Sequence, residues 1–299
     1  MKCVVGIDIE RHSDSAIALL GRLQFSIEES QLLHVTEIMQ VTLPYSAYGV
    51  FVETDAIHET LEQLAKDAVE AACKVAQACD LHPKAELCEG YALQSLLDTA
   101  DESGASLIAV TSTARSTIGA IFGGSIARGL AISAKQSILV ARQEATTDGP
   151  LRAVFATDQS AYCAECLKLL VEFAPKGISH LTLLTVHERE KHEGILSRFH
   201  SVDAKSALED ADRSLEEKGQ TTAQWLSDQG IPTESKIVAG SVEESIHEVM
   251  EEMQADLLIV GSQGHGFMER VMVGSTALHE VIGEKYPVLL LRPRLQEGI

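Results

Sequence analysis

The chain repeats itself. Cys3-Val4-Val5-Gly6-Ile7-Asp8 resembles Ala153-Val154-Phe155-Ala156-Thr157-Asp158, and Asp8 and Asp158 stand 150 positions apart. The same separation links Gly90 to Gly240, Val110 to Val260, Gly124-Ser125 to Gly274-Ser275 and Lys135 to Lys285. A one-residue slip sets His34-Val35 against Thr185-Val186 and is later cancelled. Matches at one spacing over most of a chain define a duplicated unit, here about 145 residues, the size of an ordinary domain. The expected domains are residues 1–145 and 150–299, joined through the polar stretch Glu144 to Pro150.

Within each unit, short apolar runs alternate with helical patterns. Cys3–Ile7, Gln31–Val35, Ala85–Cys88, Leu107–Val110 and Ile138–Ala141 read as strands. Their counterparts are Ala153–Thr157, Leu181–Val186, Ser235–Val238, Leu257–Val260 and Val288–Leu291. Ile57, Leu61, Leu64, Ala65, Ala68, Val69 and Ala72 recur at the spacing of one face of a long helix. Leu208, Ala211 and Leu215 lead the corresponding helix, which ends towards Trp225-Leu226. The expected class is α/β: two repeated domains, each a five-stranded, mainly parallel, doubly wound Rossmann-like sheet with helices on both faces. Ligands of such sheets sit beyond the C-terminal strand ends, where the strand order reverses. The final strands of the two halves leave apolar edges, so the halves are expected to dock as a pseudo-twofold dimer within the chain.

One motif carries chemistry. Leu257-Leu258-Ile259-Val260 runs into Gly261-Ser262-Gln263-Gly264, and Gly274-Ser275-Thr276 follows, giving G-x2-G-x9-G-S between a strand and a helix. Missing Cβ atoms let a backbone approach an anion, and successive N–H groups can point at it. The Ser275 hydroxyl and the amides of Ser275 and Thr276 add donors at a helix N-terminus. The competing reading is that Gly261 and Gly264 make a tight turn and Gly274 permits close packing.

Together with Asp158-Gln159-Ser160, Val186, Gly240 and the final strand Tyr286-Pro287-Val288-Leu289-Leu290-Leu291, this motif resembles the universal stress protein family. The resemblance covers nearly the whole chain, and the glycine spacing is its most specific mark. It implies a stress-adaptation module that binds ATP or a related adenine nucleotide, with Mg²⁺ left open. By that resemblance Asp158 and Val186 hold the adenosine end, and Ala156 and Val260 line the same pocket. Gly261, Gly264, Gly274, Ser275 and Thr276 hold the phosphates. Ala156 departs from the Pro often found in ATP-binding members, a small apolar change.

The first half departs further. Thr111-Ser112-Thr113-Ala114 replaces the first two glycines, although Gly124-Ser125 survives. A β-branched Thr111 is expected to restrict φ and to set a side chain against the phosphates. Glu10 stands where the second half has Ser160, adding negative charge. The first half is therefore expected to be a structural partner without nucleotide, with a site occupied through the hydroxyls of Thr111, Ser112 and Thr113 as the alternative.

Other candidates are weaker. Cys163-Ala164-Glu165-Cys166 is a C-x-x-C near a helix start, but no Gly-Pro intervenes and no Trp flanks it. Buried packing is the expected role, with a redox protein or scaffold as the alternative function. His187, His192 and His200 fall in a charged segment that reads as a solvated loop, with a lid or metal site as the alternative. No Walker motif and no nucleophile–base–acid set occurs, so an enzyme is not expected, and slow ATP hydrolysis stays open. A net charge of −20 repels nucleic acid. No apolar run approaches membrane-helix length, and the N-terminus reads as a first strand, not a targeting segment. Six scattered cysteines fit a cytoplasmic protein. A homodimer of the whole chain is left open.

Overall fold

The computed structural model describes residues 1–37, 54–112, 123–143, 149–187, 202–263, 274–283 and 285–294. In the first half, strands β1 (Lys2–Ile7), β2 (Glu29–Thr36), β3 (Pro83–Glu89), β4 (Leu107–Ser112) and β5 (Ser137–Arg142) alternate with helices α1 (Asp14–Leu23), α2 (Thr54–Ala78), α3 (Ala92–Ser103) and α4 (Gly123–Ser133). The second half repeats the series with β6 (Leu151–Thr157), α5 (Ala161–Phe173), β7 (Ile178–His187), α6 (Val202–Asp228), β8 (Thr233–Ala239), α7 (Val242–Glu252), β9 (Leu257–Gly261), α8 (Ser275–Gly283) and β10 (Val288–Leu291). Every expected strand is present. Of the expected linker, residues 144–148 lie outside the described residues.

The strands form one ten-stranded sheet in the order β3-β2-β1-β4-β5-β10-β9-β6-β7-β8. Neighbours are parallel within each half, and β5 and β10 meet antiparallel. Leu139 lies opposite Leu289, flanked by Ile138 opposite Leu290 and Val140 opposite Val288. Leu139 and Leu289 are repeat counterparts, so the pseudo-twofold axis passes through their pairing. This is the self-complementary geometry of an isologous dimer, built into one chain. It covers the two apolar edges that the halves would otherwise expose.

Both faces of the sheet are buried. On one, α1, α2, α5 and α6 pack through residues such as Leu20, Val69, Leu170 and Leu226. On the other, α3, α4, α7 and α8 contribute Leu96, Leu130, Met250 and Val281. Each core runs through both halves without a break. Burial on both faces explains why the strands read as continuous apolar runs. On α2 the predicted stripe is only partly buried: Ala65, Ala68, Val69 and Ala72 are inside, whereas Leu64 is 45% exposed.

The slip in the repeat frame has a structural cause. Leu151 pairs with Ile178, but Arg152 pairs with His180, so Ser179 is an extra residue in a β-bulge. Its hydroxyl donates to the Leu151 carbonyl at 3.1 Å. From there on β7 runs one position behind β2 in the repeat frame.

A second seam joins the halves beside the sheet. The Ser26 N–H donates to the Phe173 carbonyl and the Gly177 N–H to the Leu23 carbonyl, each at 3.1 Å. Phe25 and Phe173 meet edge-on at 5.5 Å between ring centroids. A Cβ on Gly177 would lie 1.7 Å from the Arg22 carbonyl oxygen, so only glycine fits there. Gly177→Ala should destabilise the protein by about 2–4 kcal/mol in urea unfolding. Gly283→Ala, whose added Cβ would meet nothing nearer than 3.7 Å, should stay within about 1 kcal/mol of the parent. Equal effects would contradict this account of the seam.

Candidate functional site

In the second half the strand order reverses between β6 and β9, and the residues that end these strands converge there. β6 runs out into Asp158, Gln159 and Ser160. Gln159 adopts a left-handed backbone with φ of 57°. A conformation unfavourable for a side-chain-bearing residue is offset here by local bonds. The Gln159 N–H donates to Thr157 Oγ1 at 3.0 Å, and the Ser160 N–H donates to Asp158 Oδ1 at 2.9 Å. Gln159 Nε2 donates to Thr185 Oγ1 and to the Leu215 carbonyl, both at 3.1 Å. The strand end is thereby tied to β7 and α6. Ser160 caps α5 by accepting the Cys163 N–H at 3.2 Å.

Ala156 pairs in register with Val260, and Val186 follows the Thr157–Thr185 pair on β7. All three belong to the core shared with α7 and α8. Val260 is buried, whereas Ala156 and Val186 are half-buried, leaving apolar surface open at the strand ends. Such a wall suits the flat face of a base.

The glycine motif closes the site. The Gly274 N–H donates to the Ser262 carbonyl at 2.7 Å, tying the far end of the motif back to β9. The Leu278 N–H donates to the Gly274 carbonyl at 2.9 Å and starts α8. The amides of Ser275, Thr276 and Ala277 precede that bond and have no partner of their own within the helix. Gly274 offers no capping side chain, and the first turn of α8 carries no acidic residue. Ser275 is exposed and Thr276 half-buried. This donor set fits an anion. Gly264 lies outside the described residues.

Gly261 has another role as well. A Cβ there would meet Cys166 Sγ at 3.1 Å and Tyr162 Cε1 at 3.3 Å, so the missing side chain makes room for α5. In the first half Thr111 takes this position, with Ala16 replacing Cys166 and His12 replacing Tyr162. Thr111 shares its strand face with Leu107 and Ala109, which pack in the core with α1. The expectation that its side chain opposes phosphates is therefore corrected: strand alternation sends it to the helix side.

The first half differs most at Asp8. Its carboxylate accepts the N–H groups of Glu10 at 2.9 Å, His12 at 3.1 Å and Ser13 at 2.7 Å. His12 Nδ1 lies 3.3 Å from the same carboxylate. α1 begins at Asp14, three positions later in the repeat frame than α5, and the intervening turn wraps around Asp8. Asp8 thus holds the turn that leads into α1, whose own first amides turn to the carbonyls of Arg11, His12 and Ser13. The sequence signal is the absence of a serine at position 10, where Glu10 stands opposite Ser160 in the repeat. Ala114 lies outside the described residues.

Cys163 and Cys166 are buried and free. Burial pushes both thiols well above their ordinary range, with the neighbouring Cys163 and Asp158 adding to the effect at Cys166. Such thiols are poor nucleophiles. His187 ends β7, while His192 and His200 lie outside the described residues. Among the described residues no group of His, Cys, Asp or Glu is arranged to hold a metal ion.

A sequence model described as the universal stress protein family matches residues 1–142 and again residues 151–292. A universal stress protein from Archaeoglobus fulgidus shares the fold with a TM-score of 0.66 at 18% identity, over 98% of both chains. A functionally unknown protein from Pseudomonas aeruginosa matches with a TM-score of 0.54 at 13% identity, over 98% of this chain and 92% of its own. Comparison with curated protein sequences returns no match.

Two outcomes follow from the site's packing. Tyr162 and buried Ser262 share a hydrogen bond of 2.5 Å between their hydroxyls. Tyr162→Phe should cost about 1–3 kcal/mol in urea unfolding by leaving Ser262 unpaired. Burial pushes Tyr162 from 10.0 up to about 12. A raised folded-state value favours the neutral phenol, so its contribution is complete below about pH 10 and fades towards pH 12. The parent should lose more stability than Tyr162→Phe across that window. In native protein, Cys163 and Cys166 should resist an aromatic disulfide reagent until unfolding; rapid modification would contradict their assignment as packing residues.

Proposed function

The chain belongs to the universal stress protein family, and from that premise we propose that it is a nucleotide-responsive module binding ATP in its second half alone. The family includes ATP-binding members. The observation that carries the reading is the start of α8 at Gly274, a residue without a side chain to cap it, tied to the end of β9 across the switch point from Asp158. Ala156, Val186 and Val260 would receive the base, and Asp158 would hold the adenosine end. Gly261, Gly264, Gly274, Ser275 and Thr276 would meet the phosphates, with Mg²⁺ able to accompany them. The first half would act as structural partner, because three amides of the turn before α1 occupy the Asp8 carboxylate.

Buried, weakly acidic thiols argue against the redox alternative, and six free cysteines fit placement in the cytoplasm. Among the described residues no helix is long and apolar enough to cross a membrane. A stress-adaptation role would follow from partners that distinguish the ATP-bound from the ATP-free second half.

Thermal unfolding tests the assignment. ATP at about 100 times its Kd should stabilise the chain by roughly 2.7 kcal/mol, raising Tm by several degrees. Asp158→Ala and Gly264→Val should abolish that rise. Asp8→Ala should lower the baseline Tm by leaving the amides of Glu10, His12 and Ser13 without their acceptor, at a cost of about 1–3 kcal/mol, and keep the full ATP-induced rise. Loss of the rise in a folded Asp8→Ala protein would move the site to the first half.

A further inference from the structure

Two repeat-related arginines cross between the halves. Arg142 ends β5 and is 6% exposed; Arg292 follows β10 and is 7% exposed. Arg142 Nη2 donates to the Val281 carbonyl at 2.8 Å and to the Glu280 carbonyl at 3.4 Å, and its Nε donates to the Tyr286 carbonyl at 3.3 Å. Arg292 does the same in the opposite direction, donating to the carbonyls of Leu130, Ala131 and Ala134. Leu130 and Ala131 are the repeat counterparts of Glu280 and Val281. Each half therefore caps the C-terminus of the other half's last helix.

The chemistry suits the place. A buried guanidinium needs acceptors, and the last carbonyls of a helix are unpaired acceptors at its negative end. α8 has nine residues, about 13–14 Å of helix, too short to hold its conformation unaided. Its N-terminus is fixed within the second half, through Gly274 and Ser262. Its C-terminus is fixed by Arg142, from the first.

We propose that Arg142 is a positioning residue for the phosphate end of the second-half site, acting across the junction through α8. The proposal rests on the ATP reading above. It gives the first half a task beyond covering an edge: a half without its own ligand sets the affinity of the other. A tilt or fraying of α8 at its held end would displace the amides of Ser275 and Thr276 at the other, because the helix is only about two and a half turns long.

The test uses the full chain with Arg142→Met, Arg142→Lys and, as the reciprocal case, Arg292→Met. A lysine retains the charge but cannot reach several carbonyls in the planar fork of an arginine. In nucleotide-free protein, hydrogen exchange should rise in α8, including the Leu278 amide that closes its first turn, for Arg142→Met. It should rise in α4 for Arg292→Met. ATP affinity should fall about ten-fold in Arg142→Met, within the usual range of coupling between sites, and less in Arg142→Lys. Unchanged exchange at the start of α8, or parent-like affinity in folded Arg142→Met, would overturn the proposal. If the parent itself bound no ATP, the functional reading would fall, while exchange in α8 would still decide whether Arg142 sets that helix. If Arg142→Met failed to fold, Arg142→Lys would carry both measurements.

Discussion

Everything in this molecule hangs on the antiparallel pairing of β5 with β10. Three apolar pairs, centred on Leu139 and Leu289, turn two five-stranded sheets into one and let each core run through both halves. Full burial of each such side chain is worth about 1.5–3 kcal/mol, and neither half could keep that surface dry alone. The remaining junction contacts obey the same pseudo-symmetry near the sheet, where Arg142 and Arg292 cap helices reciprocally. Farther out the symmetry relaxes: Gly177 presses on the Arg22 carbonyl.

The shared scaffold makes the differences at the strand ends informative. Both halves retain the same sheet order and the same helix faces, so selection for folding alone cannot explain why their ends diverged. In one half a carboxylate gathers three amides of the turn before a helix; in the other a serine hydroxyl caps the helix itself. In one half Thr111 and Ala16 hold the positions that Gly261 and Cys166 hold in the other, where Gly261 yields to Cys166 and Tyr162. These are coupled exchanges of volume and hydrogen bonds. They explain how one copy could keep its fold while the chemistry of its strand ends changed.

Much of this was legible in the sequence, for physical reasons. Parallel strands buried on both faces must be apolar without alternation, and Leu257–Val260 or Ile138–Ala141 can hardly be anything else. The repeat fixed the frame, and even its slip corresponds to a real extra residue, Ser179. The misreadings came from side-chain direction and long-range partners. Thr111 reads as facing a ligand from its place in the glycine motif, although alternation from Leu107 and Ala109 points it to the face that packs on α1. Leu64 fits the α2 stripe by spacing and yet is exposed, because periodicity does not show how wide a face the neighbours cover. The crossed arginines had no local signal: Arg142 and its acceptors on α8 are 138 and 139 positions apart, so only the folded chain reveals them.

The central claim is that a symmetric scaffold carries an asymmetric capacity, one nucleotide in a chain with two similar domains. Counting bound ATP per chain at saturation, by equilibrium dialysis with labelled nucleotide on protein stripped of any co-purifying ligand, tests it most directly. The account predicts one. A value of two would show that the arrangement at Asp8 does not disable the first half, and a value of zero with the fold intact would contradict the assignment of the second.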